Sequence, residues 1–218
     1  MSEYIMSENE AMRLGEEIRG RFENLKQAQE NSITFEELLE KIKSIKKSIL
    51  EANELEKNEL SQEFLFSKWV DFISKAFLIK HLGITLQSFN NKDEMKEHIK
   101  VFNEFEVKGN SYLVKTNENC YEIGMHRFDI LGFIHELGHI VQKEDMIINQ
   151  IVWDGRTQNL EELRVDIFAR SFWMPKKCFE SVVTQNSCCG KCDVDAVANY
   201  FSVDYVDAFL RGKDLCIW

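Results

Sequence analysis

The first quarter of the chain differs from the remainder in its pattern of polar and apolar positions. From Ser2 to about Leu60 charged residues dominate, and few apolar residues recur at positions that would form a core. This pattern is typical of a solvated or partner-binding helical segment. It predicts an N-terminal helical arm or hairpin over residues 1–60 and a second domain over residues 61–218.

Two more helices are predicted before the middle of the chain. Large apolar residues recur at helical spacing from Gln62 to His81, which predicts a buried helix that ends near Gly83. A shorter helix is predicted from about Asp93 to Phe102.

The apolar period then changes from that of a helix to that of a β-strand. The segments FEVK, over residues 105–108, and SYLVK, over residues 111–115, alternate in polarity around a turn at Gly109-Asn110. The segment CYEIGM, over residues 120–125, is a third predicted strand. A small antiparallel β-meander is therefore expected before residue 126.

The second half of the chain is mainly helical in its pattern. FDILGFIHELGHIVQK, over residues 128–143, and NLEELRVDIFARSFWMP, which ends at Met174 and Pro175, are both strongly helical. Residues 193–215 predict a helix–turn–helix, whose acidic character favours a packing role over DNA reading. Together with the meander, these segments predict an α+β fold in which helix predominates.

Composition and charge narrow the class of protein. The 218-residue chain carries a net charge of −10, which argues against binding nucleic acid or an anionic membrane through bulk electrostatics. No apolar run approaches the ~18 residues of a membrane span. The acidic first residues lack the features of a secretory signal, so a cytoplasmic location is expected. The six cysteines are then expected to be reduced thiols or metal ligands.

The helix predicted over residues 128–143 contains the sequence HELGH. His135 and His139 are four residues apart, so in a helix their imidazoles project from one face and can bind one metal ion. Glu136 lies beside them, where it can polarise a metal-bound water. The surrounding residues are mostly apolar, and a zinc ion would supply the partners that buried polar groups need. The sequence therefore predicts a zinc site with Glu136 as general base.

The third metal ligand must come from elsewhere, because catalytic zinc usually has three protein ligands and one open position. The next helical segment offers Glu161, Glu162 and Asp166. Glu162 and Asp166 share a helix face, so one can bind the metal while the other accepts a hydrogen bond from a ligand histidine. Glu162 is the preferred ligand. Glu161, about 100° away around the helix, is the remaining alternative.

In combination, these motifs resemble the ImmA/IrrE family of bacterial metallopeptidases, which are encoded by mobile elements and stress-response loci. The resemblance lies in RFDILGFIHELGH, EELRVDIFARSFWMP and VANYFSVDYVDAFLRGKDL, and spans roughly residues 105–215. It implies a zincin-like domain, with the β-meander packed on the HExxH helix and a helix-turn-helix-like packing segment at the C-terminal end. The N-terminal hundred residues have no obvious counterpart in that family.

Residue by residue, the resemblance implies His135, His139 and Glu162 as zinc ligands, Glu136 as general base and Asp166 as an acid that supports the ligands. Three positions depart from the family pattern. Arg164 stands where many members have another acid, Val165 where they have alanine, and Trp173 where they usually have leucine. Because position 164 is not an acid here, one alternative to Glu162 as third ligand is removed.

The resemblance implies a zinc-dependent endopeptidase that makes a regulatory cut in a cytoplasmic protein. A helix-turn-helix, DNA-binding repressor is the candidate substrate, and neither direct nucleic-acid binding nor membrane binding is expected. The alternative is a degenerate peptidase fold that serves as a sensor or binding module around a structural metal. Glu136 favours the enzyme, because a structural metal site has no need of that carboxylate.

Two other groups of residues leave alternatives open. Tyr121 and His126 are candidates for the donor that stabilises an oxyanion. A cysteine cluster with one CxxC pair is predicted to be a loop of free thiols, with a second, structural zinc ion as the alternative. The cluster consists of Cys178, Cys188, Cys189 and Cys192.

Overall fold

The computed structural model describes residues 7–27, 83–89, 91–100, 110–117, 120–126, 129–141 and 160–218, and the positions 37, 40, 43, 44, 73 and 74. The helices are α1 (Glu8–Gln27), α2 (Lys92–Ile99), α3 (Ile130–Val141), α4 (Leu160–Trp173), α5 (Lys176–Gln185), α6 (Val194–Phe201) and α7 (Tyr205–Asp214). The strands are β1 (Ile84–Ser88), β2 (Ser111–Asn117), β3 (Cys120–Met125), β4 (Ser187–Cys188) and β5 (Lys191–Cys192). The predicted α+β class with predominant helix is confirmed for these residues.

The chain forms two compact units. One contains residues 1–32 and 158–218, and the other contains residues 33–157. None of the described helices is long and apolar enough to cross a membrane.

The unit of residues 33–157 contains a three-stranded sheet in the order β1-β3-β2. β2 and β3 pair antiparallel, as predicted, with Leu113 opposite Ile123. The predicted strand at residues 105–108 lies outside the described residues. β1 pairs parallel with β3, so the sheet is mixed and contains one strand that the sequence pattern did not predict. The sequence pattern misses β1 because its partner is reached only after a crossover through α2 and β2.

The two faces of this sheet pack against different helices, because successive side chains of a strand point to opposite faces. On one face Tyr112 and Val114 of β2 join a buried cluster with Met95 and Ile99 of α2. α2 begins where the side chain of Asn91 accepts hydrogen bonds from two backbone amides of the first turn. On the opposite face, α3 contacts β2 and β3. The sheet therefore supports the HELGH helix from one side.

In the other unit α1 packs on α4. A Cβ atom at Gly15 would lie 2.6 Å from the carbonyl oxygen of Phe168 and 2.9 Å from Cβ of Ser171, so this close approach of the helices requires glycine. The charged N-terminal helix thus belongs to the same compact unit as the C-terminal helices. The predicted domain boundary near residue 60 lies outside the described residues.

Helix α4 ends at Trp173, directly before the predicted end at Met174 and Pro175, and buried arginines donate hydrogen bonds to the carbonyl groups at this end. Arg19 Nη1 donates to the carbonyl oxygens of Phe172, at 3.0 Å, and Trp173, at 3.1 Å. Arg211 Nε donates to the carbonyl oxygen of Met174 at 2.8 Å. The last four carbonyl groups of an α-helix have no partner within the helix. These hydrogen bonds provide partners at the end of α4 and connect it to both α1 and α7.

Three other helical predictions can be compared with the structure. The C-terminal helix–turn–helix is confirmed as α6 and α7, joined through Ser202 in the left-handed conformation at φ 56°. The short helix predicted over residues 93–102 is α2, which ends at Ile99. The helix predicted over residues 62–81 lies outside the described residues except for Ile73 and Ser74, which are both helical.

Candidate metal centre

Helix α3 carries the HELGH sequence and is buried along most of its length. Asp129 caps its N-terminus, where the carboxylate accepts a hydrogen bond from the backbone amide of Gly132 at 2.9 Å. Nine of its residues are buried, so apolar side chains on nearly all sides fix the helix in its unit. The polar side chains of HELGH consequently lie in a dry environment, as the sequence predicted.

His135 and His139 meet on one face of α3, one turn apart. Their Nε2 atoms lie 3.1 Å apart and their ring centroids 4.8 Å apart. His135 is 7% exposed and His139 is fully buried. In a tetrahedral site with Zn–N bonds of about 2.0–2.1 Å, two nitrogen ligands are about 3.3 Å apart, so the observed spacing fits a shared metal ion.

Glu136 is fully buried beside the two histidines. Its Oε1 atom accepts a hydrogen bond from the hydroxyl of Ser111, at the start of β2, at 2.7 Å. Its Oε2 atom is also buried and has no hydrogen-bond partner within the described part of the chain. Burying a carboxylate oxygen without a hydrogen-bond partner costs free energy. Oε2 is therefore the oxygen of Glu136 that can accept a hydrogen bond or a proton from a group bound at the site.

The structure brings the three predicted metal ligands together. One imidazole nitrogen each from His135 and His139 and one carboxylate oxygen from Glu162 all lie within 4.8 Å of one another. Among the described residues, no other group of three or more His, Cys, Asp or Glu side chains is placed to hold a metal ion. The side chain of Glu161, the alternative ligand, lies outside the described residues. Asp166 lies one turn after Glu162 on α4.

The oxyanion candidates both belong to the region of β3. Tyr121 pairs in register with Lys115 of β2 and shares a sheet face with Ile123. His126 follows the strand, and its backbone amide donates to the carbonyl oxygen of Asn110 at 3.3 Å. Both residues stay predictions as oxyanion donors.

None of the six cysteines belongs to this donor set. Cys188, Cys189 and Cys192 belong to the short β4–β5 hairpin, and Cys178 lies on α5. The Sγ atoms of Cys188 and Cys189 are 3.6 Å apart, and no disulfide joins any of the six cysteines, all of which are described.

Sequence reasoning missed Ser111, the partner of Glu136. A serine at the start of a predicted strand carries no signal of its own, and its role depends on the packing of the sheet against α3.

A scan against protein-family models, a search of curated proteins and a search of solved structures each find no match to this chain.

Proposed function

We propose that this protein is a zinc-dependent metalloendopeptidase. The observation that carries the proposal is the convergence of His135, His139 and Glu162 next to the buried carboxylate of Glu136. Two histidines and one carboxylate form the ligand set of many catalytic zinc sites, which keep a fourth position open. The two imidazole ligands favour zinc over hard cations such as Mg²⁺ and Ca²⁺, and zinc also binds carboxylate oxygens.

The residues of the site have distinct roles in the proposed reaction. Bound zinc would supply the Lewis acidity that activates water and polarises the scissile carbonyl. Glu136 takes the proton of the attacking water at its free Oε2 atom and delivers it to the nitrogen of the leaving amine. Asp166 supports the ligand set by accepting the distal N–H of a ligand histidine, which fixes the tautomer of that ring.

The proposed substrate is a cytoplasmic protein that is inactivated or activated by a single cut. A helix-turn-helix repressor is the favoured candidate, on the basis of the resemblance to the ImmA/IrrE metallopeptidases. The chain's net charge of −10 supports this choice, because DNA-binding partners are basic and complementary charge accelerates association.

The proposal is tested by incubating the purified, zinc-loaded protein with a peptide library and with any helix-turn-helix repressor that is encoded beside its gene. Mass spectrometry is expected to detect discrete fragments. Glu136→Gln is expected to lower kcat by about 10²–10⁴-fold, because it removes the general base, while zinc content is unchanged.

Two results would count against the proposal. A Glu136→Gln variant that cleaves as fast as the wild type would contradict the mechanism. A zinc-loaded wild type that cleaves neither the library nor the repressor would favour a binding module around a structural metal.

A further inference from the structure

The contact between Ser111 and Glu136 joins the edge of the sheet to the HELGH helix within one compact unit. The hydroxyl of Ser111 is 2.7 Å from Glu136 Oε1, and Ser111 is only 6% exposed. The serine is opposite Met125 in the β2–β3 ladder, so the sheet rather than a loop fixes the position of its backbone. A hydroxyl–carboxylate bond is charge-assisted and short, and so restrains the rotation of the carboxylate.

The two oxygens of Glu136 consequently have different surroundings. Oε1 is engaged by Ser111, whereas Oε2 is buried without a hydrogen-bond partner within the described ranges. If the carboxylate rotated freely, either oxygen could turn away from the attacking water. With Oε1 held, one defined oxygen is left to accept the proton.

We infer that Ser111 is a positioning residue for the general base. It holds Oε1 of Glu136 so that Oε2 is directed to the reacting water, and it does not itself touch substrate or metal. This inference rests on the proposed peptidase function. General-base efficiency depends on geometry, and a base held by a rigid strand keeps its geometry better than one held by a loop.

The alternative is that Ser111 only satisfies a buried carboxylate. The two roles differ in kinetics: loss of positioning lowers kcat and leaves KM and zinc affinity unchanged, whereas a general loosening of the site alters all three. β2 itself provides a matched control. The hydroxyl of Tyr112 donates to Glu122 Oε1, also at 2.7 Å and also buried, and Tyr112 points to the opposite face of the sheet.

The test uses the full-length protein and a peptide recovered from the library assay. Ser111→Ala is expected to lower kcat by about 10–100-fold, with KM and zinc affinity within twofold of wild type. Ser111→Thr keeps the hydroxyl and is expected to restore most of the lost kcat. Tyr112→Phe is expected to leave kcat unchanged.

A measurement on metal-free protein tests the contact without any activity. Ser111→Ala should lower the urea midpoint of unfolding in the wild-type background but have a much smaller effect in a Glu136→Leu background, because the partner is then absent. Equal effects in the two backgrounds would show that the contact is not formed and would overturn the inference.

The activity results separate the two proposals. An active wild type whose kcat is unchanged by Ser111→Ala, or one for which Ser111→Thr gives no rescue, overturns the positioning role alone. A zinc-loaded wild type without any peptidase activity overturns the proposed function, and the positioning role with it.

Discussion

The Nε2 atoms of His135 and His139 lie 3.1 Å apart on successive turns of one buried helix. At this distance the two ring nitrogens can form a hydrogen bond, one as donor and the other as acceptor, or bind one metal ion between them. A carboxylate oxygen of Glu162 lies within 4.8 Å of both imidazole nitrogens, so three donor atoms are close enough to hold one metal ion. A single bound metal ion would therefore explain why two histidines are buried side by side with a carboxylate oxygen close to both.

The contact of α1 with α4 predicts opposite effects of two similar substitutions on α1. Gly15→Ala would place a Cβ atom 2.6 Å from the backbone oxygen of Phe168 and is expected to destabilise the protein by about 1–3 kcal/mol. Gly20→Ala meets no atom within 4 Å and should stabilise by about 0.5–1 kcal/mol through helix propensity. Urea unfolding of the two variants measures both effects. Equal free energies of unfolding would show that α1 does not pack on α4 at Gly15.

The buried Tyr112 predicts a loss of stability at alkaline pH. Burial raises the pKa of the Tyr112 phenol, and its hydrogen bond to Glu122 and the charge of that carboxylate raise it further. The neutral phenol therefore stabilises the fold fully below the unfolded-state pKa of about 10, and this contribution falls as pH rises above it, at about 1.4 kcal/mol per pH unit.

The matching variant is Tyr112→Phe, measured by unfolding between pH 7 and pH 11.5. At pH 7 it is expected to be less stable than wild type by about 1–3 kcal/mol, because Glu122 loses a donor. Above about pH 10 the difference should narrow. A difference that stays constant across this range would refute the assignment of the alkaline transition to Tyr112.

Arg211 is predicted to stabilise the C-terminal helices much more than a surface arginine. It is fully buried and donates to the Met174 carbonyl oxygen at 2.8 Å, to Ser171 Oγ at 2.8 Å and to Glu16 Oε1 at 3.0 Å. Burial lowers its pKa, while Asp214 and Glu16 raise it. Arg211→Met is expected to cost about 2–4 kcal/mol, because it leaves buried acceptors without a donor.

The control for Arg211 is Arg13, on the surface of α1. Its ion pair with Glu17 has a length of 2.9 Å, and its side chain is 68% exposed. Arg13→Met should change the free energy of unfolding by less than about 1 kcal/mol. Comparable losses in the two variants would contradict the structural role given to Arg211.

The sequence predicted those features that depend on local spacing. His135, Glu136 and His139 are at most four residues apart in one helix, so helix geometry alone determines which of their side chains share a face. The strands β2 and β3 were predictable for the same reason, since only two residues separate them in the sequence. Pro175, which has no amide hydrogen, marked the end of α4.

Features that depend on distant pairing were not predictable. β1 has its partner at Tyr121–Met125, which a single sequence cannot reveal because parallel pairing leaves no local turn signal. The packing of α1 on α4 depends on a glycine whose role is visible only against Phe168. The hydrogen bond from Ser111 to Glu136 likewise depends on the packing of the sheet against α3, which the sequence does not show.

The assignment of His135, His139 and Glu162 as metal ligands is tested by measuring the zinc content of the purified protein by elemental analysis. We expect one zinc ion per chain in the wild type and in Glu161→Ala, and loss of that ion in Glu162→Ala. No zinc in the wild type even after reconstitution, or loss in Glu161→Ala with retention in Glu162→Ala, would contradict the assignment of His135, His139 and Glu162 as the metal centre.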